Sequence, residues 1–195
     1  MGEELDRLYH LISSHEDNQD YARMGWLPLY QAGEEARIAV VGHAPGRRAQ
    51  ATSLPWNDAS GQQLVQWMGI SEEAFRDPTK IAHIPMDFYY PGKGTSGDRP
   101  PRKGFAPLWH PSLIRLMPQV KLFLLVGAYA QSYYLGEKRK RNLTETVRSF
   151  EEYLPRYFPL VHPSPLNFRW QSNNPWFAQA VLPRLREQVR EALEG

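Results

Sequence analysis

The sequence predicts an α/β domain, in which helices cover both faces of a four-stranded parallel sheet to form a three-layer α/β/α sandwich. The chain has 195 residues, which fits one domain, so we expect a single domain over 1–195. Apolar residues make up 42% and charged residues 23%, which allows a sizeable core. Short apolar runs alternate with helical segments along the chain, and this alternation favours parallel strands joined by helices.

The predicted strands are short runs rich in apolar residues. They cover residues 37–41, 80–86, 121–126 and 157–161. The first and third runs are apolar almost throughout and are followed by Gly42 and Gly127, as is typical of strands buried on both faces. Because ligands of such sheets bind at the loops that follow the carboxyl ends of the strands, these loops are the candidate site.

The apolar periodicity predicts helices around these strands. They cover residues 3–14, 59–68, 128–135, 143–153 and 173–193, the last interrupted by prolines, and one more begins near Pro111. Residues 15–20 are predicted as a polar loop. Residues 85–107 are rich in proline, glycine and basic side chains, which is typical of a long functional loop.

The composition excludes several kinds of chemistry. The chain has no cysteine, so disulfides, thiolate zinc sites, cysteine nucleophiles and cysteine-bound iron–sulfur clusters are excluded. Its six histidines have no close spacing, and we expect no metal site. No apolar run reaches the roughly 20 residues of a membrane helix, and the acidic N-terminal segment does not resemble a secretory signal. We expect a cytoplasmic protein without membrane contact, and a monomer.

The charges are distributed unevenly along the chain. Residues 1–36 form an acidic helical leader with two bases and eight acids, a net charge of −6. Residues 37–195 contain 21 bases and 13 acids, a net charge of +8. A basic body of this kind suits a polyanionic partner such as nucleic acid, although an uneven solvated surface gives the same pattern.

Two loops at predicted strand exits carry a histidine beside residues that fix the backbone. The first is Gly42-His43-Ala44-Pro45-Gly46, and the second is His162-Pro163-Ser164-Pro165-Leu166-Asn167. In a parallel sheet both loops open on the same edge and can face one cleft. The first loop matches neither the phosphate loop nor the dinucleotide-binding pattern, and by itself it is also consistent with a plain turn.

Together, these loops resemble the paired motifs of the uracil-DNA glycosylase superfamily. The chain reads VGHAPG, then KLFLLVGAYAQSYYLG, then VHPSPLN, and the resemblance covers about 38–193. It is closest to the thermostable iron–sulfur branch, although the chain lacks cysteines for the cluster. The resemblance implies a DNA glycosylase that flips a uracil or related damaged base out of DNA and hydrolyses its N-glycosidic bond, without a cofactor.

The resemblance also implies catalytic roles for two histidines. His162 would donate a hydrogen bond to the leaving base. His43 stands where that branch has glutamate, and would activate the attacking water or orient the base or the water. A histidine that only bonds a loop carbonyl is the alternative. Ala44 stands where other members have aspartate or asparagine, and alanine cannot polarise water. Loop 136–143, in which one branch carries a histidine that traps the product covalently, contains no histidine here.

The base-binding residues implied by the resemblance surround these histidines. Backbone amides from Gly42 to Ala44 would supply donors, and Trp56 would stack on the base. His83 stands where the family has the asparagine that reads uracil. Because imidazole and amide differ in donor pattern, xanthine, hypoxanthine or a modified pyrimidine stays open as substrate. Ordinary core packing is the alternative for Trp56.

The DNA contacts implied by the resemblance lie in the second loop. Leu166 would fill the gap left by the flipped base, with core packing as the alternative. Ser164, Asn167 and Arg169 would contact DNA, the serine and arginine at phosphates. The basic side chains of two other loops are further candidate phosphate contacts, with solvated loops as the alternative: Arg99, Arg102, Lys103, Arg139, Lys140 and Arg141. Two other functions stay open, a catalytically inactive relative that binds DNA or a free base, and an enzyme acting on a free nucleoside or nucleotide.

Overall fold

A central parallel sheet organises the molecule in the computed structural model, which describes residues 2–195. Its strands are β1 (Ile38–Val41), β2 (Ile81–His83), β3 (Leu122–Val126) and β4 (Tyr157–Leu160). The spatial order is β2-β1-β3-β4, and every neighbouring pair is parallel. The predicted fold class is confirmed. The chain changes direction across the sheet between β1 and β3, which is where sheets of this kind form a ligand crevice.

Ten α-helices surround the sheet within residues 2–195. They are α1 (Glu3–Ser14), α2 (Gln19–Arg23), α3 (Arg47–Thr52), α4 (Ala59–Met68), α5 (Glu72–Arg76), α6 (Phe105–Arg115), α7 (Ala128–Leu135), α8 (Leu143–Arg148), α9 (Phe168–Asn173) and α10 (Leu182–Glu194). Apolar residues of α1, α6 and α7 cover one face of the sheet, and those of α4, α5, α8 and α10 cover the other. No helix in this part of the chain is both long and apolar enough to cross a bilayer.

The apolar runs become strands because both of their faces are buried. All residues of β1 and β3 are buried, and successive side chains point to opposite faces. Ala39 and Phe123 therefore join the core beneath α1, α6 and α7, while Ile38 and Leu122 join the core beneath α4 and α10. The strand predicted over 80–86 is shorter, Ile81–His83, although the Ile84 and Met86 amides still donate to the Val40 and Gly42 carbonyls, both at 2.9 Å.

The bounds predicted for α1, α4 and α7 are confirmed, and the local chemistry explains α4. Asp58 caps its start, with Oδ1 accepting a hydrogen bond from the Gly61 amide at 2.9 Å. Gly69, at φ 69°, ends it in the left-handed conformation that glycine adopts without strain. The segment predicted as one helix over 143–153 divides into α8 and a 3₁₀ turn at Phe150–Tyr153.

Several predicted elements were wrong. Residues 15–20 are not a polar loop, because a 3₁₀ turn at Glu16–Asn18 leads into α2. The helix predicted from Pro111 begins at Phe105, and Pro111 lies inside it. Buried Trp109 and Leu113 flank this proline, so core packing stabilises a helix that proline alone would end. The closing helix begins as a π-helical turn, Phe177–Val181, and continues as α10.

A buried ion pair between Arg102 and Asp87 lies within the long loop, 85–107, and links this loop to the acidic leader, 1–36. Arg102, predicted as a phosphate contact, instead pairs with Asp87, whose side chain is fully buried, through Nε at 2.7 Å and Nη2 at 2.8 Å. Arg102 Nη1 also donates to the Asp17 carbonyl and to Oδ1 of buried Asn18. The guanidinium further packs over Phe105, at 4.5 Å from the ring centre.

Candidate active site

The two histidine loops open into one cavity of about 140 Å³ at the carboxyl edge of the sheet. Gly42, His43 and Ala44 follow β1, His83 ends β2 and His162 follows β4. Trp56 comes from the segment between α3 and α4. All six of these predicted site residues line this cavity. The chemical roles predicted for them stay predictions.

Trp56 forms one wall of the cavity in a strained backbone conformation. Its φ of 56° lies in the left-handed region, which costs a residue with a side chain about 1–3 kcal/mol. Arg76 Nη2 donates to the Trp56 carbonyl at 3.3 Å. A Cβ on Gly42 would lie 2.9 Å from the Trp56 ring, and a Cβ on Gly61 only 1.9 Å from its carbonyl oxygen. The absence of side chains at Gly42 and Gly61 therefore leaves room for Trp56 beside the end of β1, and Arg76 fixes its backbone.

His162 lies beside Trp56 in the lining of the cavity, with 6.0 Å between ring centres and a tilt of 32° between the ring planes. Burial lowers the pKa of His162, the nearby Asp58 carboxylate raises it, and His43 lowers it further. The net lowering of the pKa favours the neutral imidazole, which has one N–H to donate. Asn167 Nδ2 donates to the His162 carbonyl at 2.7 Å, so the side chain predicted to contact DNA fixes the loop that carries this histidine.

His43 also lines the cavity and packs against Tyr129 of α7, with ring centres 5.2 Å apart. Burial lowers the pKa of His43, while Asp98 and Asp87 raise it. Its carbonyl accepts a hydrogen bond from the Asp87 amide at 3.3 Å, which links the loop to the buried ion pair. Ala44 follows with no group that could activate water.

His83 is fully buried at the end of β2. Its Nε2 lies 2.9 Å from the Phe75 carbonyl, and its ring centre lies 4.4 Å from that of Phe75. Burial lowers the pKa of His83 to about 4, although the bond to Phe75 opposes this shift. The ring is neutral at physiological pH.

The loop predicted to contact DNA projects an apolar tip into solvent. Leu166 is 92% exposed, so the alternative of core packing is excluded for this side chain. Ser164 Oγ accepts a hydrogen bond from the Leu166 amide at 3.2 Å and stiffens the tip. Phe168 is 73% exposed, and Arg169 beside it is also exposed. The loop therefore presents two apolar side chains and a cation next to the cavity.

Sequence reasoning missed two carboxylates that line the cavity, Asp58 and Asp98. Asp58 is the cap of α4, and its place before a predicted helix was the only available signal. Asp98 lies in a small hairpin of the long loop, where its backbone pairs antiparallel with that of Lys93. Its carboxylate accepts a hydrogen bond from the Tyr90 hydroxyl at 3.3 Å. No sequence pattern indicated its position. Within residues 2–195, no cluster of three or more His, Asp or Glu side chains could hold a metal ion.

The fold and cavity define a parallel α/β protein with a cavity of about 140 Å³ at the carboxyl edge of its sheet, lined by His162 of the loop that carries the exposed Leu166. The model of the uracil DNA glycosylase superfamily matches residues 29–186, more than half of the chain, and the protein belongs to this superfamily. The superfamily generally comprises DNA glycosylases, which are hydrolases.

Proposed function

We propose that this protein is a monofunctional DNA glycosylase that hydrolyses the N-glycosidic bond of uracil or a related base flipped out of DNA. The observation that carries the proposal is that Trp56 and His162 line one cavity of about 140 Å³, and that the loop beginning at His162 carries the exposed Leu166. An extruded base needs a stacking surface, and the gap it leaves needs an apolar filler. DNA is the proposed partner, and the reaction requires neither metal nor cofactor.

His162 is the proposed electrophile of this reaction. Breaking the bond between C1′ and the base leaves the electron pair on the base and positive charge on the sugar. A neutral imidazole N–H aimed at the base oxygen stabilises the developing anion without transferring a full charge. Burial lowers the pKa of His162 and so favours the neutral imidazole, which still has one N–H to donate.

Asp58 is the proposed group that accepts a proton from the attacking water, because Ala44 cannot. Asp58 lines the same cavity and lies close enough to His162 to raise its pKa. As water adds to C1′, its proton passes to the carboxylate, and the negative charge of Asp58 also favours the cation-like sugar. The capping bond to Gly61 fixes one carboxylate oxygen and leaves the other for water.

The first test replaces His162. His162→Ala removes the donor to the leaving base, and we expect cleavage of a uracil-containing oligonucleotide to fall at least about tenfold, or 1.4 kcal/mol. Abasic sites are scored after single-turnover incubation. The control is His10→Ala, an exposed histidine of α1. Wild-type cleavage rates in His162→Ala would remove this residue from the mechanism, and binding of the oligonucleotide without cleavage by the wild type would indicate the inactive relative.

The second test replaces Asp58 by the residue that caps helices equally well. Asp58→Asn keeps the hydrogen bond to Gly61 and removes the base, so we expect cleavage to fall about a hundredfold with unchanged thermal stability. Asp98→Asn is the matched variant at the other cavity carboxylate. A loss confined to Asp98→Asn would contradict the assignment of Asp58.

A further inference from the structure

The ionised groups that line the cavity are acidic. Asp58 and Asp98 are its two carboxylates, and no lysine or arginine within residues 2–195 lines it. Its three histidines are His43, His83 and His162, and burial lowers the pKa of each, which favours the neutral ring. The lining therefore contributes two negative charges and no fixed positive charge.

One arginine lies next to the cavity wall, and a carboxylate of its own helix offsets its charge. Arg76 pairs with Glu72 through Nε at 2.8 Å. Its two Nη atoms donate to the carbonyls of Pro55 and Trp56. Arg76 thus contacts the backbone of the wall and is not among the side chains that line the cavity.

Each cavity carboxylate keeps one oxygen without a hydrogen bond from the described chain. Asp58 Oδ1 accepts from the Gly61 amide at 2.9 Å, and Asp98 Oδ1 accepts from the Tyr90 hydroxyl at 3.3 Å. Neither carboxylate forms an ion pair with a cation of residues 2–195. One oxygen of each is therefore available to a ligand.

Trp56 adds a second feature that favours a cation. Indole attracts cations over its face more strongly than any other aromatic side chain, and Trp56 forms a wall of the cavity. The cavity volume of about 140 Å³ is close to the roughly 150 Å³ of a protein cavity that holds one benzene molecule. An aromatic wall, two carboxylates and this volume fit a single ring with a positive charge.

The charge of a base decides what its departure from the sugar requires. When a neutral pyrimidine leaves, the electron pair of the bond puts negative charge on the ring, in the same cavity as Asp58 and Asp98. A cationic ring takes up this electron pair and becomes neutral, so no anion has to be stabilised. Ala44, which cannot polarise water, limits such a reaction less, because a better leaving group needs a less activated nucleophile.

We propose that the cavity also accepts pyrimidines with a positive charge, and that DNA containing N3-alkylated cytosine, a cation at neutral pH, is a second substrate. The electron pair of the C1′–N1 bond passes to the ring, which leaves as neutral alkylcytosine. The oxygen of water bonds to C1′, and the proton of water passes to Asp58. Asp98 attracts the cation in the bound state and acts on binding more than on bond breaking, because this attraction falls as the ring becomes neutral. The inference rests on the proposed function for the site and for hydrolysis.

The test compares two bases of the same shape and different charge. Single-stranded oligonucleotides carry one 3-methylcytosine, one 3-methyluracil or one uracil, and abasic sites are scored after single-turnover incubation, with the loss in the absence of protein subtracted. We expect 3-methylcytosine to be cleaved at least about tenfold faster than 3-methyluracil, or 1.4 kcal/mol. Equal rates on the two methylated bases would overturn the inference.

Uracil separates this inference from the proposed function. Cleavage of uracil without cleavage of 3-methylcytosine would overturn the second substrate and leave the proposed function standing. Cleavage of 3-methylcytosine without cleavage of uracil would support the inference and remove uracil from the proposed function.

Asp98→Asn separates recognition of charge from the ease with which any cationic base leaves. We expect this variant to need at least about tenfold more protein for half the maximal single-turnover rate on 3-methylcytosine, with little change in the maximal rate. The control is Glu73→Gln, which removes an exposed carboxylate of α5 that does not line the cavity. An unchanged half-saturating concentration in Asp98→Asn, or an equal rise for 3-methyluracil, would overturn selection by the charge of Asp98.

Discussion

Two buried histidines make the stability of this protein depend on pH. His83 and His110 have pKa values lowered to about 4, against an ordinary value of 6.5. Between these values the unfolded chain binds more protons than the folded one, so stability rises with pH. The contribution of each histidine is complete above about pH 6.5 and is lost as the pH falls toward about 4.

We therefore expect the free energy of unfolding to decrease between pH 6.5 and 5. Each buried histidine accounts for about 1.5 kcal/mol of this loss. His110→Gln removes one titrating ring and keeps polar groups that can bond Tyr134 and Pro85. Between pH 6.5 and 5, the free energy of unfolding of this variant should therefore fall by about 1.5 kcal/mol less than that of the wild type. Urea unfolding at the two pH values measures it, and parallel pH dependences in both proteins would contradict the assignment.

The sequence predicted residues of the site only where a recognisable motif, or the spacing from one, indicated them. The resemblance indicated Trp56 and His162, which lie in one cavity. The tautomer of His83 could not be read, because it depends on the Phe75 carbonyl of a separate helix. Asp98 reaches the cavity through Gly92 and Gly97, both at positive φ, and the path of such a hairpin is not fixed by local sequence.

At the scale of elements, strand and helix boundaries were predictable where the signal is local. The apolar runs of β1 and β3 followed by glycine, and the cap and glycine around α4, each mark their ends without tertiary information. The start of α6 was not predictable, because core contacts of Phe105 and Trp109 override Pro111. Such tertiary contacts are absent from any local pattern.

We propose that the tip of the 3₁₀ turn Pro165–Asn167 acts on duplex substrates and not on single strands. Leu166 is exposed in the free protein and can fill the gap that a flipped base leaves in a duplex. We expect Leu166→Ala to lower cleavage of a uracil-containing duplex at least about fivefold more than cleavage of the single strand, or 1 kcal/mol. Equal losses on both substrates would contradict a wedge.

The matched control for this measurement is Leu11→Ala. Leu11 is 55% exposed on α1, so it tests the loss of an exposed leucine elsewhere on the surface. We expect Leu11→Ala to leave the ratio of duplex to single-strand cleavage unchanged. A similar change in this ratio would indicate that the effect of Leu166→Ala is not specific to the loop.

At the scale of the whole molecule, the acidic leader and the basic body share one core. Leu5, Leu8 and Ile12 of α1 pack in the same cluster as Ala39 of β1. The opposite charges predicted from sequence therefore belong to segments in contact. Arg102 adds a polar link, because it bonds Asp17 and Asn18 of the leader and also pairs with Asp87. The Asp87 amide in turn donates a hydrogen bond to the His43 carbonyl.

Breaking this link should destabilise the whole molecule far more than breaking a surface pair. Arg102→Ala leaves the fully buried Asp87 carboxylate without its cation, and we expect the free energy of unfolding to fall by about 3–5 kcal/mol. Arg141→Ala breaks the surface pair with Glu145, in which the arginine side chain is 85% exposed, and should cost about 1 kcal/mol or less. Urea unfolding compares the two variants. Similar losses would mean that Asp87 is not held as a buried anion and that the link between the leader and the His43 loop contributes little to the fold.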